Sequence, residues 1–191
     1  MNAPTHLANA PERLRLSVDE FLLLAENNAF DEYAKTELID GDIYVVNAQH
    51  ARHARVKSRL AYNLTDLLAQ LGSDLEVLTE VCVRVAHESA PEPDIVVTRF
   101  RGDCEVPADT VALVVEVADT TLDRDLGRKA ELYATAGVPE YWVVDVNGER
   151  VVRHDRPEAG RYTRRAEALF GATLASTALK GVTVDTAGLT D

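Results

Sequence analysis

The segment Ala112-Leu-Val-Val-Glu116-Val-Ala118 constrains this chain more than any other. Apart from Glu116 it is wholly apolar, and Val114, Val115 and Val117 are β-branched. A short run of this kind reads as a central strand covered on both faces, the environment of a sheet interior in an α/β fold. Alternation places Ala112, Val114 and Glu116 on one face and Leu113, Val115 and Val117 on the other. A carboxylate in such a strand needs a cationic partner, a metal or an altered pKa. The plainer reading puts Glu116 at the strand end with its carboxylate reaching water.

The flanking pattern supplies the rest of an α/β order. Ser17-Val-Asp-Glu20 is a capping box ahead of Phe21 and three leucines, and opens a short helix ending near Asn27. Thr36–Ile39 and Ile43–Val46 read as strands joined at Asp40-Gly41. Val56, Leu60, Leu64, Leu67, Leu68 and Leu71 recur at helical spacing, predicting a helix over about 51–71 that Gly72 ends. Val77, Val81, Val83 and Val85 alternate, predicting one half-buried strand over 75–85. Pro91-Glu92-Pro93 breaks it, and 94–98 forms the next strand. A helix is predicted over about 123–136, a strand over 140–146, and Asn147-Gly148 turns into strands at 151–154, 161–169 and within 172–184. There is no internal repeat. The expected organisation is a loose tail over 1–15 and one domain over 16–191, with a mixed sheet flanked by helices.

Charge limits the partners. The net charge is −12, so the chain as a whole repels a polyanion, and contact with nucleic acid requires a local basic patch or a divalent cation. Arg52, Arg55 and Arg59 share one face of the long helix, the best phosphate-backbone surface in the sequence; a solvated helix face is the alternative. Cys82 and Cys104 have no metal-ligand spacing and read as incidental. No run of 18 apolar residues and no basic-then-apolar leader occurs, so a cytoplasmic location is expected by default and no membrane partner is.

Two further residues belong with Glu116. Asp94 opens the strand after Pro93; if that strand neighbours 112–117, the two carboxylates face one another at roughly 5 Å. A divalent cation such as Mg²⁺ resolves the repulsion, since hard cations prefer oxygen ligands. Lys129 shares an apolar helical stripe with Leu126, Ala130 and Tyr133. It either snorkels to the surface or points its ammonium at the carboxylates. Arg124, Arg128 and Glu131 fall outside the stripe and read as solvated, and Asp119, Asp123 and Asp125 read as loop and cap carboxylates. Trp142 reads as core.

These residues carry a family resemblance. Glu37-Leu-Ile-Asp-Gly41, His53 at the head of a long helix, Glu92-Pro-Asp94, Val114-Val-Glu-Val-Ala-Asp119, Asp125-Leu-Gly-Arg-Lys129 and the stretch Leu132 to Asp145 occur in order from about Ser17 to Leu189. In this the chain resembles the "putative restriction endonuclease" family of the PD-(D/E)XK nuclease superfamily. The resemblance implies a restriction-endonuclease-like α/β core and a Mg²⁺-dependent endonuclease acting on DNA, with Mn²⁺ as a possible substitute and RNA not excluded. It implies Asp94 and Glu116 as metal-binding catalytic carboxylates, Lys129 as their catalytic partner, and Glu37 and His53 as weaker candidates. Superfamily members often pair on two-fold symmetric duplexes, so a homodimer is expected. One departure stands out: two residues after Glu116, where the superfamily's lysine usually sits, this chain has Ala118. A catalytically weak or inactive binding scaffold on the same fold is the alternative.

Overall fold

The computed structural model describes residues 13–46 and 50–189. Residues 1–12 of the expected loose tail lie outside the described residues; Arg13 to Arg15 have no regular structure. Helix α1 spans Val18–Glu26 and opens on the predicted capping box: the Ser17 N–H donates to Glu20 Oε2 at 2.8 Å, and the Glu20 N–H to Ser17 Oγ at 3.3 Å. Strands β1 (Lys35–Ile39) and β2 (Asp42–Val46) pair through the Asp40-Gly41 turn. Gly41 has φ +77°, and a Cβ there would collide with the Arg15 side chain, so both conformation and space require glycine.

Helix α2 (Ala51–Gln70) buries His53, Val56, Leu60, Leu64 and Leu68, four of them the predicted apolar stripe. The strand predicted over 75–85 is two strands. β3 (Glu76–Thr79) ends where Glu80 takes φ +54°, and β4 (Val83–Arg84) leaves the main sheet to pair in parallel with β6 (Val106–Pro107). The left-handed residue changes the chain's direction, which alternation alone does not reveal.

The main sheet has the order β10-β9-β8-β7-β5-β3, with β5 at Ile95–Thr98, β7 at Val111–Ala118, β8 at Glu140–Asp145, β9 at Arg150–Glu158 and β10 at Arg161–Leu169. β7 and β8 are parallel; every other pair is antiparallel. The apolar strand is therefore central, and the mixed α/β core expected from the sequence is present. Ile95, Val97, Leu113, Val115, Val117, Trp142 and Val144 pack on one face with α2. Val96, Val114, Tyr141 and Val143 pack on the other with Tyr133. Ala112 departs from the predicted alternation. A register shift opposite Val97 and Thr98 places Val111 with Val114 and turns Ala112 to the α2 side.

After β7 the chain forms α3 (Leu122–Arg124), a wide π turn at Asp125–Lys129, and α4 (Ala130–Thr135). This is the helix predicted over 123–136, with one wider turn in it. The segment within 172–184 forms two short strands, β11 (Thr173–Ala175) and β12 (Thr183–Asp185), paired with each other and packed on the α2 face. Buried Glu140 anchors the stretch between them: it accepts from Ser176 Oγ at 2.6 Å and from the Thr177 and Ala178 N–H groups at 2.8 and 2.7 Å. Among the described residues no helix is long and apolar enough to cross a membrane.

Candidate active site

The strand register assembles the site. Ile95 faces Val115 and Val96 faces Val114 across β5 and β7. Asp94 immediately precedes β5 and Glu116 immediately follows Val115 in β7, so the two carboxylates come to the same end of the strand pair. Both are buried, at 3% and 4% exposure. Asp94 Oδ2 accepts a hydrogen bond from the Val117 N–H at 2.7 Å and lies 3.4 Å from His53 Nε2. His53 is thus a buried residue aimed at the site, and its place one turn into α2 is what carries it there.

Lys129 points inward. Its side chain is 2% exposed, and Nζ donates to Glu116 Oε1 at 2.8 Å and to Glu37 Oε1 at 2.7 Å. Asp125 Oδ1 is 3.9 Å from the same nitrogen, one turn back on the helix. Tyr133 Oη donates to Glu116 Oε1 at 3.1 Å. Glu37 is fully buried; it also accepts from the Glu92 N–H at 3.2 Å, and its Oε2 lies 3.4 Å from Arg124 Nη2.

A cavity of about 240 Å³ opens over this cluster. Glu37, Asp94, Glu116, Asp119 and Asp125 line it, with Lys35, Arg124 and Lys129. Five carboxylates against three basic side chains leave an excess of two negative charges when all are ionised. Arg52, Arg55 and Arg59 are not brought to the cavity. Arg52 pairs with Glu149 at 2.9 Å, Arg59 bonds the Gly188 carbonyl, and Arg55 is exposed on the same helix.

Comparison with known proteins fits this geometry. The family model for Uma2, described as "Putative restriction endonuclease", matches residues 18–187. The chain belongs to the Uma2 family. A crystal structure of a putative nuclease belonging to DUF820 from Anabaena variabilis superposes on the Uma2-family chain with a TM-score of 0.70. The identity is 15%, over 91% of this chain and 97% of that one, a likeness of fold. No curated protein matches.

Electrostatics divide the carboxylates of this Uma2 site. Burial pushes Glu116 up to about 8; the Lys129 ammonium opposes the rise, while Asp125, Glu37 and Asp94 add to it. Burial also pushes on Asp94, but the hydrogen bond and charge of His53, with Lys35 and the Val117 N–H, outweigh it and hold Asp94 below its ordinary value. Burial disfavours the charge on Lys129, yet Glu116, Glu37 and Asp125 raise its pKa and keep it cationic. Asp125 is raised by burial, with Lys129 and the Thr121 hydroxyl in opposition.

Two residues were misplaced by sequence reasoning. Asp125 is not a cap carboxylate but is 1% exposed beside Lys129. Its spacing from Lys129 and Tyr133, at i, i+4 and i+8, is the signal that could have found it. Arg124 is not solvated: it lines the cavity with its side chain 26% exposed. Nothing in the helical pattern marks it.

Proposed function

We propose that this chain is a Mg²⁺-dependent endonuclease that hydrolyses phosphodiester bonds of DNA, with Asp94 and Glu116 as metal ligands and Lys129 as their catalytic partner. The observation that carries the reading is the meeting of these three side chains at one cavity, with Asp94 and Glu116 at the same end of the β5–β7 pair. Membership of a family described as "Putative restriction endonuclease", and a fold shared with a putative nuclease, support the nuclease class.

The residues fit a hard divalent ion. Among the described residues no three His, Cys, Asp or Glu side chains form a metal cage. Mg²⁺, however, is commonly held by one or two carboxylates, keeping several waters. Once Glu116 has released its proton, the cavity's two surplus negative charges match one divalent cation, and Mn²⁺ offers the same chemistry. When bound, such an ion activates a water and offsets charge developing on the phosphoryl oxygens.

The chain's own groups prepare for this. Asp94 is ionised at neutral pH and is held in place by the Val117 N–H. Glu116 retains its proton to about pH 8 without an ion and has to release it to become a ligand. Lys129 favours that release and places a fixed positive charge beside the reacting phosphate. Glu37 and Asp125 hold the ammonium from the far side. Phosphates further along the strand reach the Arg52, Arg55 and Arg59 face of α2.

The scaffold reading has one observation in its favour: Lys129 already closes an ion-pair network with Glu37 and Glu116. Nicking of supercoiled plasmid with and without Mg²⁺ separates the two. The enzyme reading expects Mg²⁺-dependent nicking by the wild type, reduced on the order of 10²–10³-fold by Glu116→Gln and by Lys129→Ala. Calorimetry should show weaker Mg²⁺ binding by Asp94→Asn. Nicking by Glu116→Gln at the wild-type rate, or equal metal affinity in Asp94→Asn, would defeat the assignment.

A further inference from the structure

Arg124 stands apart from the other basic residues of the cavity. Lys129 is sealed between Glu37 and Glu116, and Lys35 lies 3.9 Å from Glu92. Arg124 lines the cavity, yet its closest ionic contact among the described residues is the 3.4 Å approach to Glu37 Oε2. Glu37 Oε2 accepts no hydrogen bond among the described residues, so that approach is charge attraction without a bond. Arg124 Nε is itself buried and has no acceptor. A guanidinium carries five N–H donors in a rigid fork and stays charged at every relevant pH. Burying such a donor without an acceptor is costly, and a planar fork beside open space matches two oxygens of a phosphate.

The far side of the guanidinium is supported. Its carbon lies 5.6 Å from the centre of the Tyr44 ring on β2, and Tyr44 is 40% exposed. An aromatic face holds a guanidinium without using its in-plane donors. Tyr44 therefore supports the guanidinium from its face, and with Nε itself buried it is the Nη end that is left to the cavity. Glu37 tethers that end electrostatically.

Resting on the nuclease reading, we propose that Arg124 is the cavity's phosphate contact: its guanidinium, seated on Tyr44, binds the non-bridging oxygens of a nucleic-acid phosphate next to the carboxylate pair. This answers the charge problem at short range, because an acidic protein cannot collect a polyanion by its overall field. The contact is to the backbone, so it carries no sequence preference.

The test is fluorescence anisotropy of a labelled duplex oligonucleotide across a salt series, with Ca²⁺ replacing Mg²⁺, alongside melts of each variant. Arg124→Gln should weaken binding about tenfold or more and lower the salt slope by about one. Arg124→Lys should keep the slope and recover part of the affinity. Tyr44→Phe should bind as the wild type does, and Tyr44→Ala about threefold more weakly. Wild-type affinity in Arg124→Gln, or weaker binding at an unchanged slope, overturns the proposal, since a merely structural role does not remove a counterion. Wild-type nicking together with that unchanged slope refutes Arg124 and leaves the nuclease reading standing. Absent nicking with the expected slope change refutes catalysis and leaves the phosphate contact. No binding by the wild type refutes both.

Discussion

Glu116→Gln should make the metal-free protein more stable, and by an amount that depends on pH. In the fold Glu116 titrates near 8, against an ordinary value of 4.5. A carboxylate with a raised folded pKa contributes stability that is fully present below its unfolded pKa and is lost as pH rises through the folded one. The wild type therefore loses this contribution between about pH 4.5 and 8, whereas glutamine does not titrate. One pKa unit is worth about 1.4 kcal/mol, so the 2.5 units between 4.5 and pH 7 correspond to about 3 kcal/mol. That figure is an upper bound, because the amide is a weaker acceptor for Lys129 than a carboxylate.

The amide oxygen can still accept from Lys129 Nζ and Tyr133 Oη, and Lys129 keeps Glu37 and Asp125 as partners. The packing of β7 is therefore retained. At about 2–4 °C per kcal/mol for a chain of this size, the variant should melt up to about 6–12 °C above the wild type at pH 7 in chelator. The difference should vanish near pH 4 and be largest above pH 8. Melts of both proteins across that range, without divalent ions, measure it, and titrating groups remote from Glu116 cancel in the comparison. A difference that stays constant with pH, or a variant less stable at pH 8.5, would refute the claim that Glu116 carries the burial cost.

Three other outcomes follow from the same geometry. Lys129→Met leaves buried Glu37 without the cation it shares with Glu116, so it should cost about 3–5 kcal/mol at pH 7 by denaturant titration; a loss under about 1 kcal/mol would mean that the ammonium does not hold the network. Mg²⁺ binding should release a proton from Glu116 at pH 7, because the ion takes only the carboxylate; calorimetry in buffers of differing ionisation enthalpy reads it, and a release of zero at pH 7 contradicts the ligand role. The homodimer expected from the superfamily resemblance would use the edge of β10, and light scattering at micromolar concentration should give twice the monomer mass; the monomer mass would overturn it.

Much of the site was legible because its logic is local. Period-two alternation puts Glu116 in an apolar strand, Pro93 fixes where the neighbouring strand begins, and a lysine within an apolar helical stripe must find a partner or reach water. The antiparallel register of β5 and β7 then brings Asp94 to the same end of the pair as Glu116. The capping box and the Asp40-Gly41 turn were equally readable, each being set by residues within three positions of one another.

What escaped the sequence depends on packing between distant segments. A two-stranded hairpin has two faces, and which one is buried is decided by what lies over it; Glu37 is buried because the α3–α4 helix and the Glu92 backbone close on it. Asp125 resembles a cap residue until the wide turn at Asp125–Lys129 swings it beneath the cavity. The same turn sets the phase of Lys129 relative to Arg124, so that the lysine is sealed among carboxylates while the arginine stays at the cavity wall. Five residues of helix thus separate two tasks: holding a cation inside the protein, and presenting one to whatever enters. The division explains why an acidic chain without the usual strand lysine can still assemble a positively supported carboxylate pair. In this chain the lysine stands on the helical segment after the strand, and the same segment carries the arginine.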